Sequence, residues 1–206
     1  MSASVLAIGI DPATHTGLAL VRLDTETGEA ELMGVWAIYG ESWRNWCGRA
    51  MAAAFDVARL AGDKPIAGWW ERPRPGGDDG WDPVPMATRA GALLMALQVA
   101  GVLAVVKPIN VSQWTAAARV PAGKFGDGSH RIEEAATRIA FAGAELESLQ
   151  HCRIDCAEAA LIALACARSC ATAMAGGKQA SLLPARGGAG GLSGVPTSGH
   201  SSPRQE

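Results

Sequence analysis

Residues 159–167 read Ala-Ala-Leu-Ile-Ala-Leu-Ala-Cys-Ala, nine positions without a polar side chain. A helix that is apolar all round has no face to give to water, so this segment must lie inside a packed core. Two acids open it, Asp155 and Glu158. Residues three apart on a helix are neighbours, with Cβ atoms about 5–6 Å apart. Both carboxylates can therefore face one point at the edge of that core.

The rest of the composition agrees with a globular chain. Hydrophobic residues make up 49% and charged residues 18% of 206 positions, enough apolar material for one domain with a core of its own. The apolar runs end after about nine residues, short of the roughly 20 of a membrane helix, so no membrane is expected. The N-terminus has no basic region before Asp11 and does not read as a secretory signal. Five cysteines, an odd count, argue against a disulfide framework and suit a reducing cytosol, so a cytoplasmic location is expected. Cys152/Cys156 and Cys166/Cys170 are i,i+4 pairs, but the two pairs stand roughly 21 Å apart along one helix at 1.5 Å per residue. They cannot share a zinc ion and read as small buried hydrophobes.

From Gly176 onward the chain is Gly-, Ser-, Pro- and Ala-rich with almost no large apolar residues. The expectation is a folded domain over 1–175 and a flexible tail over 176–206. Lys178, Arg186 and Arg204 against Glu206 make the tail +2, which leaves −4 on residues 1–175. Net charge alone does not announce a nucleic-acid binder.

Strands are expected at Val5–Ile10, Gly17–Leu23 and Ala30–Trp36, joined by short turns into an antiparallel meander. A helix follows, with Ser42 as N-cap and Trp43, Trp46, Cys47, Ala50 and Met51 on its apolar stripe. Pro65–Glu71 reads as a strand, Met86–Ala100 as a helix and Val102–Val106 as a fifth strand. Val111–Ala118, His130–Ala142 and Ile154–Ala173 read as helices. A meander followed by alternating helices and strands gives an α/β fold, a mixed five-stranded sheet flanked by helices. That is the order of the ribonuclease-H-like fold, although other α/β folds share the element types.

The acids sit at meaningful places in this order. Asp11 closes the first strand, Glu71 closes the fourth, and Asp155 and Glu158 open the last helix. The first and fourth strands can lie side by side and parallel, which brings Asp11 next to Glu71. Singly, each acid has an ordinary reading: a turn residue before Pro12, an ion pair with Arg72, a complement to the helix dipole. Jointly, carboxylates converging at a core edge repel unless a cation lies between them. Oxygen-rich clusters suit Mg²⁺ or Mn²⁺, and two such ions can clamp the oxygens of an in-line phosphoryl transfer.

The motifs around these acids resemble those of the RuvC-type Holliday-junction resolvases. Ile8-Gly-Ile-Asp-Pro-Ala-Thr-His-Thr-Gly17 is similar to the family's first motif, Trp69-Trp-Glu-Arg-Pro73 to its second, and Asp155-Cys-Ala-Glu158 with the apolar helix beyond to its last. The resemblance spans about residues 4–170. It implies a ribonuclease-H-like fold, a Mg²⁺-dependent endonuclease (Mn²⁺ being possible), a homodimer and branched DNA as substrate. It implies that Asp11, Glu71, Asp155 and Glu158 are the catalytic metal ligands, Glu158 standing where the pattern usually has Asp. The family also places an aromatic shortly after the second acid; here the chain runs Arg-Pro-Arg-Pro-Gly-Gly, and Trp81 is out of register.

Local charge points to a nucleic-acid surface. Lys107, Arg119, Lys124 and Arg131 against Asp127 make residues 107–131 net +3, with Trp114 and Phe125 interleaved. Cations for phosphates and aromatics for unstacked bases suit a backbone-reading enzyme, and a solvated face with a core Trp is the ordinary alternative. Arg72, Arg74 and His130 complete the candidate set, with Arg89 as a further contact. Three other functions fit parts of the sequence. They are a nuclease of the same fold acting on ribosomal RNA precursors, a non-catalytic structure-specific DNA-binding protein, and an actin-like ATPase, which the short chain disfavours.

Overall fold

A computed structural model describes residues 3–13, 15–72, 83–102, 104–120, 134–135, 138–141 and 153–176. Three strands open the chain, β1 (Ser4–Asp11), β2 (Thr16–Asp24) and β3 (Ala30–Ile38), and pair antiparallel in succession. Helix α1 (Trp43–Ala61) follows, then β4 (Ile66–Glu71), α2 (Pro83–Val99), β5 (Ala104–Ile109), α3 (Val111–Ala118), β6 (Ala140–Phe141) and α4 (Arg153–Ala175). The sheet order is β5-β4-β1-β2-β3-β6, with β4 parallel to β1. Five long strands form the mixed sheet, and the two residues of β6 add to its β3 edge. This is the ribonuclease-H-like fold.

Alternation along the strands divides the core between the two faces. Leu6, Ile8 and Ile10 of β1, Leu18 and Leu20 of β2, and Trp70 of β4 pack with Trp46, Val57, Leu93 and Leu97 of α1 and α2. Val5 and Ala7 of β1 and Ala19 and Val21 of β2 pack with Ala159, Ala160, Ala163 and Leu164 of α4. Trp69 faces the α4 side, so Trp69 and Trp70 do point to opposite faces. The α4 face is lined with small residues for a reason. A Cβ at Gly9 would stand 2.0 Å from the Ala159 carbonyl oxygen, and one at Gly17 2.1 Å from that of Asp155. Only glycine lets the helix backbone come so close to the sheet.

Element ends follow the local chemistry. The Ser42 hydroxyl accepts from the Asn45 amide at 3.2 Å and caps α1, and Gly62, at φ 58°, ends it. Gln113 accepts from the Asn110 amide at 3.1 Å where α3 begins. Strand β5 runs on through Lys107 and Pro108, past the expected end at Val106. Proline is tolerated because β5 is an edge strand whose outer side needs no ladder bond.

Two expectations are corrected. Within the helix expected over 130–142, Glu134, Ala135 and Arg138 are helical, but Ala140 and Phe141 leave it and pair in parallel with Glu31 and Leu32. Buried Ile139 anchors that crossing, and the open edge of β3 supplies the hydrogen bonds. Trp43, expected on the core stripe, is 49% exposed. By length and composition alone, Ile154–Ala175 is apolar enough to cross a membrane; here 61% of its most apolar 18-residue window is buried in the fold, as the core element its all-round apolarity requires. The tail beyond Gly176 lies outside the described residues.

Candidate active site

Alternation fixes which way the acids point. Asp11 shares a face of β1 with Val5, Ala7 and Gly9, the face covered by α4. Glu71 shares a face of β4 with Ala67 and Trp69, the same side. Ile10 pairs with Trp70, so one residue further on Asp11 and Glu71 occupy neighbouring strand ends. Gly17 pairs with Asp11 across the β1–β2 ladder and lies directly beneath the Asp155 backbone. That contact sets the first turn of α4 over the strand end that carries Asp11.

The electrostatics show the convergence. Asp11 is buried, at 6% exposure. Burial pushes its carboxyl well above the ordinary value, and the charges of Glu158, Glu71 and Asp155, in that order, push it further. A hydrogen bond between the Asp11 and Glu158 carboxyl groups needs a proton on one of them, which acts in the same direction. Asp155 is pushed up to about 6, first by burial and then by Glu158. All four acids therefore share one electrostatic site where β1 and β4 end. Glu71 is held by a partner the sequence did not reveal. Trp114 Nε1 donates to its Oε2 at 2.8 Å, and the Trp114 side chain is wholly buried. Of the two readings of Trp114, an aromatic for unstacked bases or a core Trp, the structure shows the core residue: it orients an acid, and its helix packs against α4.

The turn after Asp11 is closed from within. Thr16, fully buried, donates from Oγ1 to the Ala13 carbonyl at 3.1 Å. Among the described residues, no three His, Cys, Asp or Glu side chains are gathered tightly enough to form a ready-made metal cage. The donor set is nevertheless all carboxylate oxygen, the kind that suits a hard divalent cation.

The basic candidates are spread more widely. Arg72 is exposed beside Glu71, its amide donating to the Ile109 carbonyl at 2.8 Å. Lys107 lies on the α4 side of β5 and bears electrostatically on Cys166 and Cys170, down α4 from the acids. Arg119 ends α3 in a left-handed conformation, and its carbonyl accepts from Arg138 at 2.9 Å. Arg168 donates to the Ala118 carbonyl at 2.8 Å. Arg138 and Arg168 thus bring two more cations to the end of α3, unforeseen because the pairing spans 19 and 50 residues of chain. Arg74, Lys124, His130, Arg131, Trp81 and Phe125 lie outside the described residues. Cys156 and Cys166 are buried and in no disulfide, in keeping with their reading as small hydrophobes.

Comparison with solved structures adds to this geometry. The chain is similar to RuvC of Thermus thermophilus, at 21% identity and a TM-score of 0.61, covering 82% of this chain and 96% of that one. It is similar to the T. thermophilus RuvC structure in complex with a Holliday junction substrate, at 19% identity and 0.57, covering 84% and 98%. The yeast mitochondrial Holliday junction resolvase Ydc2 matches at 14% identity and 0.50, covering 84% and 81%. No family model and no curated protein matches the sequence. The chain therefore has the fold of these resolvases at low sequence identity.

Proposed function

We propose that this chain is a divalent-metal-dependent endonuclease that resolves branched DNA, four-way junctions above all, by in-line hydrolysis of phosphodiesters. One observation carries the reading: the neighbouring ends of β1 and β4 and the start of α4 gather Asp11, Glu71, Asp155 and Glu158 about one point, with Asp11 buried there. The structural likeness to a resolvase solved on a Holliday junction supports the substrate. Asp11, Glu71, Asp155 and Glu158 would hold Mg²⁺ or Mn²⁺, which when bound supplies Lewis acidity and an activated water. The chain's own part is positioning. Trp114 holds one Glu71 oxygen, Gly17 seats Asp155 against β1, and the burial of Asp11 away from water strengthens every charge interaction there. Arg72, beside Glu71, would meet a substrate phosphate. We further place the nuclease in residues 1–175, acting as a homodimer in the cytoplasm, so that two sites cut paired strands.

The test is a substrate panel at fixed salt. With Mg²⁺ the protein should nick a synthetic four-way junction at paired positions, and Asp11→Asn should lower the rate at least 1000-fold while leaving binding intact. Equal cutting of linear duplex, or cutting of RNA only, would transfer the fold to another substrate. Binding without cutting in both Mg²⁺ and Mn²⁺ would make it a non-catalytic DNA-binding protein.

A further inference from the structure

The residues just beyond β3 form a second surface on the edge of the sheet that carries Asp11. Strands β1 and β3 both pair antiparallel with β2, so they run in the same direction and end together. Asp11 pairs with Gly17, and Gly17 with Ala37, which places Ala37 two strand spacings from Asp11, about 10 Å. Tyr39 follows two residues later and is 42% exposed. The His15 ring, in the turn after Asp11, meets it edge-on at 5.9 Å between centroids. The Arg49 guanidinium lies 3.9 Å over the Tyr39 ring. Tyr39, Arg44 and Arg49 line an open cleft of about 570 Å³ along α1, which also holds Glu41.

The adjoining first turn of α1 presents Trp43. Its indole is 49% exposed and stacks on buried Trp46, with centroids 5.0 Å apart and planes 3° from parallel. One face is thereby fixed to the core and the ring cannot easily reorient. Trp46 stands one turn further along the same helix, so the two indoles form an i,i+3 pair at the start of α1. Flat, rigid aromatic faces beside arginines are what single-stranded nucleic acid uses: any base can stack on the ring, and the arginines meet the phosphates.

We propose that the N-terminal turn of α1 is a single-strand subsite, seating one unstacked base on Trp43 and its backbone against Arg44 and Arg49. It rests on the nuclease reading for its class of ligand.

The test uses the full chain without divalent metal and two probes, a dT 12-mer and an abasic 12-mer of the same phosphodiester backbone. The wild type should bind the dT 12-mer at least fivefold more tightly than the abasic one, the gain a stacked base brings. Trp43→Ala should remove that gain and leave abasic binding unchanged, while Trp43→Phe, which keeps a ring, should retain part of it. Arg49→Ala should weaken both probes by a similar factor. Equal wild-type affinity for the two probes, or a dT preference that survives Trp43→Ala, would overturn the subsite. Junction cutting alongside either of those results would leave the nuclease reading standing. A Trp43-dependent dT preference in a protein that cuts no junction would uphold the subsite and remove the nuclease.

Discussion

The two faces of the sheet are packed by different means. On one, α1 and α2 rest on large side chains, with Trp46, Val57, Leu93 and Leu97 against Ile8, Ile10 and Leu20. On the other, α4 lies backbone to backbone on glycines and alanines, with no room at Gly9 or Gly17 for a methyl group. Side chains can change rotamer and absorb a small displacement, whereas a backbone resting on a backbone cannot. The acids belong to the second face. A site whose ligands come from β1, β4 and α4 keeps its geometry best where the helix has only one distance at which to sit.

The sharpest way to break the comparison is one methyl group on each face. Gly17→Ala must shift the start of α4, carrying Asp155 off Asp11. It should cost about 1–3 kcal/mol or more and, since a displacement near 1 Å can cost about 100-fold, slow cleavage by at least that factor. Leu93→Ala, buried on the opposite face, should cost about 2–5 kcal/mol of stability by denaturant melting, yet leave the cleavage rate of the folded protein unchanged. Equal rate losses in both variants would mean that the glycine contact has no special role.

The pH dependence of stability sharpens the same point. Asp11 and Asp155 hold their protons more tightly folded than unfolded, Asp155 up to about 6 against an ordinary 3.8. The folded chain therefore binds more protons than the unfolded one, and stability falls as pH rises above about 4 and through about 6. Without divalent metal the melting temperature should drop between pH 4.5 and 7.5, by a loss of about 1–3 kcal/mol. Asp11→Asn should flatten that slope, and added Mg²⁺ should raise the melting temperature more at pH 7.5 than at pH 5. A flat profile in the wild type would show that these acids are not buried together.

The smallest effect separates two tryptophans. Trp114→Phe deletes the donor to Glu71 and should cost about 1–3 kcal/mol and slow cleavage several-fold. Trp70→Phe, on the α1/α2 face one residue before Glu71, should leave the cleavage rate alone. Equal rates in the two variants would reduce Trp114 to a packing residue.

Much of this was legible in the sequence because it rests on local pattern. The alternation of β1 puts Asp11 opposite Ile8 and Ile10, and the i,i+3 spacing of Asp155 and Glu158 needs only a helix. Ser42 and Asn110 sit at the helix starts expected for them. What stayed hidden is what distant segments do for one another. Trp114 bonds to an acid 43 positions earlier, and Arg168 caps a helix 50 positions earlier, so neither has a local signature. The fifth strand reads in sequence as ending at Val106, whereas β5 runs on through Pro108 because it lies at an edge, which the sequence does not say. Trp43 fits the helical stripe, yet it is the first residue of α1 and half exposed, stacked on Trp46 rather than buried with it.

The central claim is that four acids make one cation site, and Mn²⁺ binding followed by electron paramagnetic resonance tests it most directly. The account predicts that the wild-type chain removes free Mn²⁺ from solution at pH 7.5, that Mg²⁺ competes it off, and that Asp11→Asn and Asp155→Asn each weaken binding at least tenfold. Unchanged Mn²⁺ binding in both variants, or none in the wild type, would contradict it.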